Sequence, residues 1–159
     1  MTNNDIFYKL RKIFHWNEED MGNLFKSVDY PVSPLDLFAW MKQEKFEGFK
    51  PMPDQSLAAL LNGLIAAKRG LKDGVIPEHE SELNNNIILR KMKIALNLKD
   101  QDIVDVFRVA NMRVSKSEIN AFFRDPKSPD FRWCKDQFLR NFLQGLVLQS
   151  KEDIQPKVD

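Results

Sequence analysis

The chain has 159 residues, of which 43% are hydrophobic and 30% are charged, and its formal net charge is +1. This composition is typical of a soluble globular protein with a sizeable core, and no apolar run reaches the roughly 18 to 20 residues that cross a bilayer. Cys134 is the single cysteine, which excludes an internal disulfide and a cysteine-based zinc site within one chain. The polar residues Met1 to Asp5 do not resemble a secretory signal, so we expect a cytoplasmic protein that makes no membrane contact.

An internal repeat is the most informative feature of the sequence. Residues 3–69 align without a gap on residues 85–151, at an offset of 82 and with about sixteen identities. Such a period indicates one structural unit used twice. We therefore divide the chain into repeat 1 (1–70), an acidic linker (71–84), repeat 2 (85–151) and a tail (152–159) that we expect to be flexible.

The two repeats differ in charge. Repeat 1 carries nine basic and nine acidic side chains, whereas repeat 2 carries thirteen basic and seven acidic ones and has a net charge of +6. The linker contributes −3 and the tail −2. The overall charge of +1 therefore conceals a distinctly basic second repeat, which favours an acidic partner.

Each repeat predicts four helices, of which the first two follow from apolar spacing. The first helix has its apolar face at Ile6, Leu10, Ile13 and Phe14 in repeat 1, and at Ile88, Met92, Ala95 and Leu96 in repeat 2. Its start is marked by Asn3-Asn4 and by Asn84-Asn85-Asn86, which we interpret as helix caps. The second helix of each repeat begins with acidic residues, which suit the positive end of the helix dipole.

The third and fourth helices are predicted from caps and from an apolar stripe. Ser33 and Ser115 each stand three residues before a carboxylate, the pattern of a capping box. The fourth helix begins at Asp54-Gln55 or Asp136-Gln137, after a loop rich in glycine and proline, and has the strongest apolar stripe. Gly63 and Gly145 interrupt it at equivalent positions, so we predict that the two fourth helices cross at these glycines, near a pseudo-twofold axis.

Together these elements predict an all-α fold. Two tandem four-helix repeats should pack about a pseudo-twofold axis as one compact body, with helix pairs that resemble a helix-turn-helix.

The strongest functional pattern lies between the second and third helices of repeat 2. A helix, a short turn and a second helix over residues 105–124 resemble a DNA-binding helix-turn-helix, although Arg113 stands at the turn position where glycine is usual. Basic side chains there could neutralise phosphates while Ser117 or Asn120 faces base edges. The candidate nucleic-acid or acidic-partner residues are Arg108, Arg113, Lys116, Ser117, Asn120, Arg124, Lys127 and Arg132.

A structural interpretation of the same pattern stays open. Any two amphipathic helices joined by a capped turn give this spacing, and the basic residues could simply solvate an outer face. Repeat 1 favours that interpretation, because Pro31 and Pro34 occupy the equivalent turn and basic residues are scarce there.

Large aromatic residues in loops suggest a second functional class. Phe46, Phe131 and Trp133 could anchor a partner protein or a second copy of the chain, because aromatic side chains contribute much of the energy of interfaces. The recurrence of such a residue in both repeats favours the other interpretation, that these rings close the end of a small helical core. The sequence thus leaves nucleic acid, an acidic protein and self-association open as partners.

Enzymatic chemistry has little support in the sequence. His15 and His79 are not shared by the two repeats, and one cysteine with two scattered histidines gives no metal-binding spacing. No glycine-rich phosphate loop is present. We expect no catalytic residue, no metal and no cofactor, and an unrecognised hydrolase is the remote alternative.

Several segments resemble a known family. The Asn-Asn pairs, the Ile-rich first helix, the segment Asn97-Leu98-Lys99-Asp100-Gln101-Asp102 and the segment from Val114 to Ile119 resemble the YehS-like family of uncharacterised bacterial proteins. The resemblance covers both repeats. It implies a duplicated all-helical domain in a bacterial cytoplasm and brings no catalytic residue with it.

Overall fold

The structure, a computed structural model, describes the backbone of residues 1–154 and the side chains of residues 1–151. Within that range the regular structure is helical, with four α-helices in each repeat and one short 3₁₀ turn at Lys72–Gly74, so the predicted all-α fold is confirmed. None of these helices combines the length and the apolar character needed to cross a membrane. The helices are α1 (Asn3–Phe14), α2 (Glu18–Ser27), α3 (Pro34–Met41), α4 (Asp54–Arg69), α5 (Asn85–Leu96), α6 (Asp100–Val109), α7 (Lys116–Phe122) and α8 (Asp136–Ile154).

The predicted serine caps are present at the start of the third helix in each repeat. The hydroxyl of Ser33 accepts a hydrogen bond from the backbone N–H of Asp36, and that of Ser115 accepts one from Glu118. In repeat 2 the Glu118 carboxylate accepts the N–H of Ser115 in return, which completes the capping box. These contacts are local in sequence, which is why the sequence pattern could predict them.

The interpretation of these asparagines as caps is confirmed for Asn84, which is the N-cap of α5, and is wrong for the pairs Asn3-Asn4 and Asn85-Asn86. Thr2 is the N-cap of α1. Asn86 instead donates through Nδ2 to the carbonyls of Phe122 (3.0 Å) and Arg132 (2.9 Å), and its Oδ1 accepts from the N–H of Cys134 (2.9 Å).

Asn4 makes the equivalent three bonds in repeat 1, to Trp40, Lys50 and Met52. Asn3 and Asn85 donate to the carboxylates of Asp54 and Asp136. Each Asn-Asn pair is therefore a clamp that ties the loop between the third and fourth helices to the first helix. We call it the loop clamp.

The glycines of the fourth helices allow close packing, but not of one fourth helix on the other. A Cβ at Gly63 would lie 2.9 Å from the carbonyl carbon of Leu24 in α2 and closer still to its oxygen. At Gly145 the same overlap occurs with Val106 in α6. The predicted crossing of the fourth helices at these glycines is therefore wrong: each glycine faces the second helix of its own repeat.

The two repeats contact each other through their first and fourth helices, the fourth helix of each repeat packing on the first helix of the other. Helix α4 packs along α5, and α8 packs along α1, which relates the two contacts by the pseudo-twofold symmetry of the repeat. Buried residues of both repeats form one continuous core, which includes Phe7, Leu61, Leu89 and Phe142. Each repeat therefore completes its core with a helix from the other.

Polar contacts across the repeats follow the same symmetry. Lys9 Nζ donates to Gln144 Oε1 (2.6 Å), and at the equivalent positions Lys91 Nζ donates to Asn62 Oδ1 (2.7 Å). Partial burial lowers the pKa of Lys9. These bonds fix the two helix pairs α1–α8 and α4–α5 in register.

The carboxylates at the start of the fourth helices also reach across. Asp54 Oδ2 accepts the N–H of Leu83 (2.9 Å), which precedes α5, and Asp136 Oδ2 accepts from the amino group of Met1 (3.2 Å), which precedes α1. The hydrogen bond from Asn85 and the charge of that amino group hold the pKa of Asp136 below its usual range.

The acidic linker is irregular apart from its short 3₁₀ turn, and it is fixed by His79. The imidazole Nε2 lies 2.9 Å from the carbonyl oxygen of Val28, and Nδ1 lies 2.9 Å from Nδ2 of Asn62. Because Lys91 donates to Oδ1 of Asn62, the amide presents its NH₂ group to Nδ1 of His79, while Nε2 of the imidazole faces the carbonyl oxygen of Val28. A continuous series of hydrogen bonds therefore connects α5, α4, the linker and the end of α2, through Lys91, Asn62, His79 and Val28.

Part of the predicted tail is helical. Helix α8 continues to Ile154, three residues beyond the end of repeat 2. Residues 155–159, where the remainder of the predicted flexible tail falls, lie outside the described part of the chain.

Candidate nucleic-acid interface

The candidate interface is built on α6, α7 and the six residues that connect them. Asn111 takes a left-handed conformation (φ 60°), and the N–H groups of Asn111 and Met112 bond back to the carbonyls of Arg108 and Phe107. This is a Schellman end to α6, in which asparagine replaces glycine. The prediction that Arg113 stands at the glycine position of the turn is therefore wrong, because Asn111 occupies it. The connection is also longer than the three or four residues of a standard helix-turn-helix.

All of the basic and polar residues predicted for this interface are exposed to solvent. We define the α7 face as Arg113 in the turn and the three exposed residues Lys116, Ser117 and Asn120 on the helix. Around it lie four exposed flanking residues, namely Arg108, Arg124, Lys127 and Arg132. The described contacts leave these side chains accessible to a partner.

Two of the flanking arginines are partly neutralised by neighbouring acids. Arg108 lies 3.3 Å from Asp105 within α6, and Arg124 lies 3.7 Å from Asp130. Both pairs are open to water, where such pairs contribute little and are screened by salt. Phosphate oxygens could therefore replace Asp105 and Asp130 at little cost.

A cavity of about 420 Å³ brings several predicted residues together beside α7. Its walls include Ser117, Arg124, Phe131 and Arg132. The ring of Phe131 meets that of Trp133 edge to face, with centroids 4.9 Å apart. Two guanidinium groups, a hydroxyl and the ring of Phe131 line this space together with the carboxylates of Glu118 and Asp130, so an entering phosphate would have to displace Asp130 from Arg124. Arg108, Arg113, Lys116, Asn120 and Lys127 lie outside this cavity.

The two repeats share the flanking charge and differ in the centre. The flanking positions of repeat 1 hold Lys26, Lys42, Lys45 and Lys50, all exposed. At the positions of the α7 face, repeat 1 instead has Pro31, Pro34, Leu35 and Phe38, which are also exposed and which we call the α3 face. One scaffold therefore presents a polar, basic centre in repeat 2 and an apolar centre in repeat 1.

The predicted aromatic anchors have different surroundings. Phe46 and Trp133 are exposed by 56% and 61%, whereas Phe131 is half-buried. Lys45 places its ammonium 5.3 Å from the ring centre of Phe46. Phe131 lines the cavity beside α7 and Trp133 contacts its ring, whereas Phe46 lies in the other repeat.

Three basic residues near this surface were not predicted from the sequence. Arg69 at the end of α4 and Arg90 and Lys93 on α5 line a neighbouring cavity of about 430 Å³ together with Phe123. Arg90 Nη2 also donates weakly to the carbonyl of Phe123 (3.4 Å), the residue before Arg124. The basic surface therefore extends from the end of α7 onto α5. Only the packing of α4 on α5 brings Arg69 to it, so repeat periodicity gave no signal for that residue.

The single thiol is not poised for chemistry. Cys134 is 4% exposed, and burial, with a smaller contribution from Asp136, raises its pKa to about 12. A thiol with this pKa is almost entirely protonated at neutral pH and is a poor nucleophile.

Comparison with known proteins gives a family and no activity. The sequence profile of the family described as "Protein of unknown function (DUF1456)" matches residues 3–70 and again residues 85–151. The chain is 41% identical over 149 residues to "Uncharacterized protein YehS" of Escherichia coli (strain K12), an alignment that covers 92% of this chain and 95% of that protein. No solved structure gives a significant match. Both matches show that the chain belongs to the YehS-like family of proteins of unknown function (DUF1456).

Proposed function

We propose that this protein is a non-enzymatic nucleic-acid-binding module of the bacterial cytoplasm, and that the α7 face with its flanking arginines and lysines is the contact surface. The observation that carries the proposal is the exposure of all eight predicted residues on one segment of repeat 2. Six of them are basic. Cationic side chains that cluster along one exposed segment are the electrostatic footprint of phosphate binding.

The non-enzymatic part of the proposal rests on how the reactive side chains are used. Cys134 is buried with a raised pKa, and both ring nitrogens of His79 are engaged in structural hydrogen bonds. The carboxylates of Asp54 and Asp136 accept hydrogen bonds from the loop clamp and from the opposite repeat. Burial or structural hydrogen bonds thus account for Cys134, His79, Asp54 and Asp136, whereas His15 is exposed at the end of α1.

Binding should depend strongly on salt. Fluorescence anisotropy with a labelled random 20-base-pair DNA and a random RNA of the same length would measure affinity between about 50 and 300 mM salt. Replacing Arg113 and Lys116 together by alanine should weaken binding about tenfold or more and lower the salt slope by about one for each lost phosphate contact. Affinity that is absent, or that does not change with salt, would overturn the proposal.

Repeat 1 supplies a matched control. The double substitution Lys26→Ala and Lys45→Ala removes the same charge from exposed, flanking positions of repeat 1. It should change affinity by less than about threefold, since long-range electrostatics is screened within about 10 Å. Equal losses in both double variants would mean that net charge, and not the α7 face, determines binding.

Asn120 tests whether bases are read. The side-chain amide of asparagine can make a bidentate contact with adenine. Because the amide is uncharged, it does not contribute to the salt dependence of binding. Asn120→Ala should therefore reduce any preference among DNA sequences and leave the salt slope unchanged. A changed slope with an unchanged preference would place Asn120 outside the base-contacting surface.

A protein-interaction module is the second candidate function. The observation in its favour is the exposure of Phe46 and Trp133. Large exposed aromatics are typical anchors at interfaces. On this alternative, Phe46→Ala and Trp133→Ala would abolish capture of a partner by the immobilised protein, and anisotropy with nucleic acid would show no binding.

A further inference from the structure

The α3 face exposes large apolar side chains on a helix. Leu35 is 81% exposed and Phe38 is 45% exposed, and the exposed Pro31 and Pro34 adjoin them. Single exposed apolar residues are ordinary, but four neighbouring ones on a turn and the helix that follows form a contiguous patch. Patches of this kind mark sites of interaction between proteins.

Folding does not require these residues to be apolar. The equivalent positions of Leu35 and Phe38 in repeat 2 hold Ser117 and Asn120, which are exposed on the same helix of the same scaffold. The buried side of both helices is apolar, through Leu37 and Trp40 in α3. Leu35 and Phe38 therefore add nothing to the core, and their apolar character calls for a partner surface.

The charge around the α3 face points to a second copy of the chain. Residues 26–50 carry four lysines and four carboxylates, and one pair, Lys50 and Asp36, is in contact at 3.4 Å. In a twofold interface a patch meets itself, so a patch of one sign repels itself while a balanced patch can pair its acids with its own bases. The equivalent residues 108–132 of repeat 2 hold six basic and three acidic side chains, which disfavours such pairing there.

We propose that the α3 face is the interface of a homodimer, in which α3 of one copy packs antiparallel against α3 of a second copy. Leu35 and Phe38 would form its centre. An antiparallel pair also brings Asp36, in the first turn of one helix, towards Lys42 at the end of the other. Four side chains are far fewer than the roughly 20 to 30 residues that each partner contributes to a standard interface, so the dimer should be weak and should form only at high protein concentration.

Sedimentation equilibrium of the complete chain without nucleic acid tests the dimer. The average mass of the wild type should rise from 18.6 kDa towards twice that value with increasing concentration. The double substitution Leu35→Ser and Phe38→Asn, which installs the residues of repeat 2, should weaken association at least about tenfold. Circular dichroism should show an unchanged fold, because the scaffold already accepts these residues. Ile94→Ser, which removes another exposed apolar side chain on α5, should leave association unchanged.

Cysteine cross-linking locates the interface. Leu35→Cys places a thiol beside the proposed twofold axis, and the native Cys134 is too buried to compete. Mild oxidation should link Leu35→Cys chains into a covalent dimer, whereas Ile94→Cys chains should stay monomeric. A wild type that stays at monomer mass at about 1 mM, or a dimer that survives the double substitution, would overturn the proposal. These measurements do not involve nucleic acid, so they succeed or fail independently of the proposed function.

Discussion

Replacing Asn86 by alanine tests the loop clamp directly. The side chain is 4% exposed and makes three hydrogen bonds of 2.9 to 3.0 Å, to Phe122, Arg132 and Cys134. A net contribution of about 1 kcal/mol for each bond gives an expected loss of about 3 kcal/mol in the free energy of unfolding. For a chain of this size the loss corresponds to a fall in Tm of about 6 to 12 °C.

Urea unfolding followed by circular dichroism would measure the loss. Asn4→Ala, which removes the equivalent clamp in repeat 1, should be destabilised to a similar extent. Asn23→Ala is the control, because Asn23 is exposed on α2 and its replacement should change stability by less than about 0.5 kcal/mol. If Asn86→Ala loses less than about 1 kcal/mol, the three bonds do not stabilise the fold as argued.

Three further predictions concern single residues. Gly63→Ala and Gly145→Ala should each destabilise the protein by more than about 2 kcal/mol, because the added Cβ would overlap a backbone carbonyl. Gly22 has open space around it, so Gly22→Ala should raise the free energy of unfolding by up to about 1 kcal/mol. Thermal unfolding would compare the three variants, and equal effects would contradict the packing argument. Cys134 should react with a thiol reagent at pH 8 only as fast as the protein opens, and rapid labelling of the native state would disprove its burial. Folding lowers the pKa of Asp136, so the stability that its carboxylate contributes is complete at neutral pH and is lost as the pH falls through the pKa of the folded state. Asp136→Asn should therefore make the free energy of unfolding depend less on pH in acid. An unchanged pH dependence would show that the bonds from Asn85 and Met1 do not stabilise the fold.

Local features of the sequence were sufficient for the helices and their serine caps, but not for the partners of each helix. A periodic apolar stripe shows which side of α4 is buried, and it does not show whether α2, α5 or α8 covers that side. For the same reason the glycines predicted close packing correctly and its partner incorrectly. The two repeats have the same apolar pattern, so a helix could pack on the same partner in its own repeat or in the other one. Periodicity alone does not tell these two arrangements apart.

The Asn-Asn pairs show a second limit. Asparagine caps helices through atoms two or three residues away, so a pair at a predicted helix start was interpreted locally. The actual acceptors of Asn86 lie 36 and 46 residues further along the chain. The exposure of the predicted interface followed from the apolar pattern of α7, whereas Arg69 joins the basic surface only through the contact of α4 with α5.

The exchange of first and fourth helices between the repeats has a consequence for the origin of the chain. Interlocking halves related by a pseudo-twofold axis are the arrangement expected of a symmetric homodimer whose two subunits became joined by gene duplication and fusion. In such an ancestor every surface existed in two identical copies, and a substitution changed both. A fused chain is free of that constraint because each half has its own sequence, and the outer faces of α3 and α7 do differ, one being apolar and the other basic. The clamps, caps and close-packed glycines that both halves still need stayed alike.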